Sequence, residues 1–217
     1  MTQPLLSILI PTVVERESQL NNLIGLLCGK HTAWGVWEQF NNIDIRWQYI
    51  KTLNGEIEII VGKDNKEKTI GEKREQMYQL AKGLYSIQVD DDDELAPNAI
   101  ELILEAIKRN PGVDCITFEE HIDIDGKIQR SNHSLKYDDW HDNYDGYDYV
   151  RTPFFKSVIK TEIAKSVPIP HIRFGEDHQW AQALKPHLQS EIHIPEQLYR
   201  YIHRSSNPTE RYGLDRG

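Results

Sequence analysis

Residues 87–95 read IQVDDDDEL, four consecutive aspartates behind an apolar, β-type run. At neutral pH, Asp90, Asp91, Asp92 and Asp93 repel one another unless positive charge sits among them. Two readings stand open on these residues alone: a divalent cation, which takes hard oxygen ligands, or a solvated acidic loop. The position favours a cation. The acids fall where a buried strand would emerge and a helix follow, and open α/β sheets bind ligands at the carboxyl ends of their strands.

The preceding chain supplies such a sheet. LLSILIPT (5–12), EIEIIVG (56–62) and LYSIQV (84–89) are apolar runs of the kind that form buried parallel strands. A first helix is expected over 16–28, where Leu20, Leu23, Ile24 and Leu27 share a face ahead of Gly29 as a cap. A second is expected over 71–82, with Met77, Leu80 and Ala81 inward and Gly83 as its stop. A third starts at Pro97, lined by Ile100, Ile103, Leu104 and Ile107, and ends at Asn110-Pro111-Gly112. Between the first two lie Trp34, Trp37, Phe40 and Trp47, read as packing residues, and a turn at Asn54-Gly55. The β-α-β-α-β-α order predicts a parallel, doubly wound sheet with right-handed crossovers. It gathers the loops 12–16, 63–68 and 90–94 at one edge.

The second half reads differently. VDCITF (113–118) is a strand, and HIDIDGKIQ (121–129) a hairpin turning at Asp125-Gly126. Residues 137–149, YDDWHDNYDGYDY, mix acids with aromatic rings, as a surface loop or a ligand lid would. A short helix starts at Thr161 and is stopped by Pro168 and Pro170; a further helix covers FGEDHQWAQAL (174–184); short strands are expected at 191–194 and 197–203. The organisation is one domain, with a first half 1–112, a second half 113–204 and a polar tail 205–217. With 39% hydrophobic residues among 217, a packed core is expected. The net charge of -9, without a long basic run, argues against nucleic acid or an anionic membrane as the main partner. Cys28 and Cys115 read as buried thiols, not as a disulfide or zinc framework. The start shows no signal peptide and no apolar run has the length of a membrane span, so the expected location is cytoplasmic.

SILIPT (7–12), VGKDN (61–65), IGEKR (70–74), DDDDEL (90–95), FGED (174–177) and YRYIH (199–203), in this order, carry a resemblance over nearly the whole chain. The chain resembles a small family 2 glycosyltransferase of the GT-A fold. The resemblance implies a Rossmann-like, doubly wound, mostly parallel sheet flanked by helices, with a smaller acceptor-side sheet at the C-terminal end. It implies metal-dependent, inverting transfer of a sugar from a nucleotide-sugar, UDP by default, to a glycan or other acceptor hydroxyl, with Mn2+ or Mg2+. Pro11, Thr12, Glu15 and Asp64 would then hold base and ribose, with Lys73 and Arg74 as a basic pair near the nucleotide. Asp90 and Asp92 would be the acids of the Asp-x-Asp pattern: Asp92 the first choice as metal ligand, Asp90 and Asp91 nearer the ribose or a metal-bound water. Asp93 is an alternative helix cap. His203 resembles the late histidine that reaches the same metal. Asp177 would be the general base and Glu176 a second, acceptor-orienting acid. Trp180, one helical turn beyond Glu176, is expected under the acceptor site with Arg151 and Tyr149; His133, Tyr147, Phe154 and Phe155 stand near without assigned roles.

The sequence departs from the pattern at Val13-Val14, in place of the common Tyr-Asn, and at Glu75, where Asn is frequent. Read without the resemblance, Lys73 and Arg74 are a solvated helix start, Glu176 and Asp177 favourable charges at a helix N-terminus, and His203 a core histidine. Two other functions remain open. A nucleotidyltransferase would carry a glycine-rich phosphate loop, which PTVVERE lacks. A non-catalytic nucleotide-sugar or Ca2+-binding module would have no need of the second acidic pair. The acceptor is open among glycan, lipid carrier, protein side chain and a modified base in DNA.

Overall fold

The structure is a computed structural model that describes residues 3–28, 34–42, 45–52 and 55–205, with the side chains of 28–54 outside the description. The expectations for the Cys28 thiol, the Gly29 cap, the rings of Trp34, Trp37, Phe40 and Trp47, the turn residue Asn54 and the tail beyond Ser205 lie outside the described residues.

In chain order the elements are β1 (Leu6–Val13), α1 (Glu17–Cys28), β2 (Trp34–Asn42), β3 (Ile45–Thr52), β4 (Ile57–Asp64), α2 (Ile70–Leu80), β5 (Tyr85–Gln88), β6 (Glu94–Leu95), α3 (Ala99–Arg109), β7 (Cys115–Ile124), β8 (Lys127–His133), β9 (His141–Tyr144), β10 (Tyr147–Arg151), β11 (Val158–Lys160), α4 (Thr161–Ser166), α5 (Glu176–Leu184) and β12 (Glu191–His203). The described strands form one mixed sheet in the order β2-β3-β4-β1-β5-β11-β7-β8-β10-β9. The three strands expected to be parallel are parallel neighbours: Leu6–Val13 lie beside Ile57–Asp64, and Leu6–Leu9 beside Tyr85–Gln88. Their carboxyl ends therefore open on the same edge. Beyond β5 the sheet changes direction, because β11 enters antiparallel between β5 and β7. A small branch leaves the main path where β12 runs parallel to β7 and also pairs with β6.

Alternating side chains feed two cores, one on each face. Leu6, Ile8 and Ile10 of β1 pack with Leu20, Leu23 and Leu27 of α1 and Ile100, Ile103, Leu104 and Ile107 of α3. Leu9 points the other way, to Met77 and Tyr78 of α2 and Trp180, Ala181 and Leu184 of α5. Helices thus cover both faces, as expected of an α/β sheet. Cys115 is a buried free thiol. Among the described residues no helix is long and apolar enough to cross a membrane.

Several local expectations are corrected. Leu80 is 43% exposed, because the buried stripe of α2 is Arg74, Met77 and Tyr78, continued by Ala81. Pro97 lies outside α3, which starts at Ala99 behind Asn98. The strand at 113–118 and the first arm of the hairpin are one strand, β7; residues 191–194 and 197–203 are likewise one strand, β12, interrupted by bulges between Ile194 and Tyr199. The acidic aromatic segment is mostly a hairpin, β9–β10, turning at Asp145-Gly146 with φ of 55° and 80°. Asp125-Gly126, with φ of 50° and 90°, turns β7 into β8 by the same two-residue geometry.

Gly71, in the first turn of α2, is a point of close approach between the halves. A Cβ there would lie 1.9 Å from the Pro170 carbonyl oxygen and 3.3 Å from Glu176 Cβ. Gly71→Ala is expected to cost about 1–3 kcal/mol, the range for forced overpacking. Urea unfolding of the variant against the parent checks this, and an unchanged midpoint would refute it.

Candidate functional site

β5 ends at Gln88, and residues 90–93 form a turn closed by the Asp93 amide donating to the Asp90 carbonyl at 3.1 Å. The turn sends its four carboxylates to different partners. Asp90 faces Arg74, whose Nη1 and Nη2 lie 3.1 and 3.3 Å from its oxygens. Asp91 accepts from Arg16 Nη1 at 2.9 Å and from the Thr12 hydroxyl. The same Arg16 nitrogen is 2.9 Å from Asp92. Asp93 turns inward, accepting from the Tyr199 hydroxyl at 2.7 Å and the Ile202 amide at 2.9 Å. It therefore does not cap α3. The mutual repulsion is answered by three side-chain cations: Arg16, Arg74 and, 3.5 Å from Asp93, Lys156.

The ionisation of the run follows from these partners. Burial works to raise Asp90, but Arg74 and Lys156 outweigh it and hold the group below the usual carboxylate range. Burial raises Asp91 against the pull of Arg16. It pushes Asp92 up to about 6 and raises Asp93 as well.

A cavity of about 1000 Å³ opens at this edge. One wall carries Pro11, Thr12, Arg16, Lys73 and Asp90–Asp92; the other is the start of α5, with Glu176 and Asp177. Arg74 joins the two walls. Its guanidinium stacks 3.6 Å from the Phe155 ring centroid and donates to Gln88 at 2.9 Å and Glu176 at 3.3 Å. Gly175, with φ of 79°, reverses the chain into α5. Glu176 is buried, and burial raises its carboxyl despite Arg74. Asp177 is half-buried and lines the cavity.

The remaining expected residues are distributed as follows. Lys73 lines the cavity and donates to the Thr12 carbonyl at 2.8 Å. Asp64 is buried behind it, paired with Lys73 and accepting from the Lys68 amide at 3.1 Å. Glu15 is exposed and bound to Lys66 at 2.7 Å. Trp180 sits in the core, stacked on Tyr78 at 5.3 Å and donating to the Val167 carbonyl at 3.0 Å, and is not among the residues that line the cavity. Arg151 packs 5.0 Å from the rings of both Tyr149 and Trp140, and Tyr149 donates to Gln129 at 3.3 Å; of these four residues only Trp140 reaches the cavity wall. Tyr147 donates to Glu119 at 2.6 Å. His133, Phe154 and Phe155 are buried. His203 pairs with Ile124 at the far end of β12, and its carbonyl accepts from the Asp125 amide at 3.0 Å.

Among the described residues no group of three or more His, Cys, Asp or Glu is arranged to hold a metal, so the structure does not gather Asp90, Asp92 and His203 around one position. The two aspartates alone still suit Mg2+ or Mn2+. Both line the cavity, and such ions are commonly held by one or two carboxylates together with substrate phosphates and water. Asp92 is raised by burial despite Arg16.

Sequence reasoning missed several wall residues: Arg16, Trp140, Phe174, His178 and Tyr201. All five lay inside segments already singled out. It also missed a buried ion pair beneath the aspartates. Lys156 lies 2.9 Å from Glu120, whose other oxygen is 3.1 Å from His133 Nε2. Burial works against the charge of Lys156, but Glu120 and Asp93 overcome it and raise the ammonium. Since Asp93 is itself raised, the full charge opposite Lys156 is that of Glu120.

A family model described as glycosyl transferase family 2 matches residues 40–182. No curated protein matches. Among solved structures, Staphylococcus aureus TarS 1-349 in complex with UDP-GlcNAc is similar at 13% identity and a TM-score of 0.62, covering 94% of this chain and 60% of that one. The same TarS segment in complex with UDP gives 13% identity and a TM-score of 0.59, covering 96% and 62%. The likeness is one of fold, and this chain spans about 60% of the length of that TarS segment.

Glu120 supplies a pH test. Burial would raise it, yet Lys156 and His133 bring it down to about 2. A carboxylate depressed on folding adds stability that is full above its unfolded pKa, about 4.3, and is lost as pH falls towards 2. Glu120→Gln removes the nearer of the two acids beside buried Lys156 and should cost about 3–5 kcal/mol at pH 7. In denaturant titrations the gap to the parent should narrow as pH falls below about 4.3; a gap independent of pH would refute the assignment.

Proposed function

The chain belongs to glycosyl transferase family 2, and on that premise we propose that it transfers a sugar from a nucleotide-sugar, by default a UDP-sugar, to an acceptor hydroxyl with inversion. One observation carries the reading: Asp90–Asp92, from the end of β5, and Glu176–Asp177, from the start of α5, line the same cavity. A displacement needs these two functions apart, leaving-group stabilisation on one side and proton removal on the other. The TarS segment similar in fold was solved with UDP and with UDP-GlcNAc, which supports the donor class.

The donor lies over the carboxyl ends of β1, β4 and β5, with Thr12 and Lys73 beneath the nucleoside. Asp64 acts through Lys73, which it fixes, and does not touch the donor itself. Asp90 and Asp92 would hold a Mn2+ or Mg2+ ion, which when bound neutralises the diphosphate as it departs. Asp177 accepts the proton of the acceptor hydroxyl as that oxygen bonds to the anomeric carbon, opposite the bond breaking to the diphosphate. Glu176, tied to Arg74, sets the position of Asp177 at the helix start. Trp140 and His178 border the acceptor side. His178 Nε2 lies 2.8 Å from Asp139, which fixes the ring beside the proposed base.

Incubation with Mn2+ and a panel of nucleotide-sugars and acceptors should release a nucleoside diphosphate. Folded protein that releases none, or that releases pyrophosphate instead, would overturn the reading. Asp177→Asn should keep donor affinity and lower kcat by about 10²–10⁴; near-normal turnover removes Asp177 from the base role.

A further inference from the structure

The four aspartates are held by cations of two kinds. Arg74 is fixed: it is stacked on Phe155, bonded to Gln88 and paired with acids on both cavity walls. Arg16 is placed differently. It ends the one-turn 3-10 segment Val14–Arg16 at the cavity wall, and its side chain is 18% exposed. One of its nitrogens, Nη1, lies 2.9 Å from Asp91 and 2.9 Å from Asp92. A single positively charged atom between two carboxylates occupies the kind of position a hard cation takes.

From this placement we infer that Arg16 is a displaceable internal cation: it holds Asp91 and Asp92 before the donor arrives, and turns to the donor's diphosphate when a divalent ion held by Asp90 and Asp92 takes over the Asp92 carboxylate. The inference rests on the nucleotide-sugar reading of the cavity. Two like charges do not share one pair of carboxylates at hydrogen-bond distance, so an ion bound at Asp92 drives the guanidinium off. Asp91 keeps its position on departure, because the Thr12 hydroxyl also bonds it. The guanidinium keeps a partner too, since its planar fork matches phosphate oxygens as well as carboxylates. The exchange conserves charge pairing at each stage. Without donor, the arginine neutralises the acids; with donor, the ion neutralises the acids and the arginine meets the phosphates. Arg16 therefore competes with the metal when the donor is absent and joins the same side as the metal when the donor is present, which makes metal and donor binding mutually reinforcing.

The test measures binding alone, on the full chain. Mn2+ is titrated without nucleotide, read by electron paramagnetic resonance, and UDP is titrated in saturating Mn2+ by calorimetry. Arg16→Gln should bind Mn2+ about tenfold more tightly than the parent, and UDP about tenfold more weakly, the scale of a charged hydrogen bond. Arg16→Lys, which keeps a charge without the fork, should stay near the parent for Mn2+ and weaken UDP. Adding Asp92→Asn to Arg16→Gln should abolish the gain in Mn2+ affinity. Thermal melts establish that each variant is folded. Mn2+ binding no tighter in Arg16→Gln than in the parent, including absence of binding in both, overturns the inference, as does unchanged UDP affinity. A parent protein that binds Mn2+ but no UDP marks a different failure, that of the nucleotide-sugar reading, and takes the donor half of this inference with it.

Discussion

The Arg74 guanidinium is buried between Asp90 and Glu176, with the Phe155 ring beneath it. Burial opposes its charge, and the two acids more than restore it, so it stays cationic. Removing one partner from a buried pair of this kind commonly costs about 3–5 kcal/mol, because the other charge is left uncompensated. That energy fixes geometry as well as charge. α2 must lie where one side chain reaches the end of β5 and the start of α5 at once. Gly71 makes this approach possible by leaving room for the Pro170 carbonyl. Both walls of the cavity are thus located by the first turn of one helix.

The aspartate run follows the same logic on a smaller scale. Four carboxylates in sequence need not be four carboxylates in one place. The turn at 90–93 distributes them between Arg74, Arg16 and the Tyr199–Lys156 interior. Burial brings Asp92 up to about 6 despite Arg16, and raises Asp93 as well despite Lys156. Asp93, although part of the motif, belongs to the foundation: Tyr199 and the Ile202 amide tie it to β12.

Much of the donor wall was legible in the sequence, because strand and helix periods are local. The apolar runs at 5–12, 56–62 and 84–89 correspond to β1, β4 and β5 in parallel, and the loops after them meet. What was not legible depends on distance along the chain. Lys156 and Glu120 are ordinary residue types in unremarkable segments, and only folding brings β7 against the loop before β11. Trp180 shows a subtler limit. Its spacing from Glu176 does place both on one side of α5, and both are buried, but only Glu176, at the helix start, also lines the cavity, with Asp177 and His178 beside it. Helical spacing tells which residues share a face; it does not tell which face looks outward. His203 ends β12, which is one long strand: it pairs with Ile124 of β7, one residue after the Ile202 amide that bonds Asp93.

The cavity wall at Trp140 is built by a different device from the wall at the aspartates: the segment just before β9 is tied to a helix. Asp139 accepts from Gln182 at 2.8 Å and lies as close to His178, both on α5. Lys185, immediately after α5, donates to the Tyr137 carbonyl at 2.6 Å. Trp140, next to Asp139, has its ring centroid 5.0 Å from that of His178. These ties are polar and partly exposed, individually worth about 1 kcal/mol, so they are weak one by one. All of them end on α5 or the residue after it, the element that carries Asp177. Tyr137, Asp139 and Trp140 come just before β9, and the hairpin that follows is held in the sheet by the pairing of β10 with β8. The segment 137–140 thus joins α5 to the sheet at one end of the cavity, while the Arg74–Glu176 pair joins the start of α5 to α2 at the other.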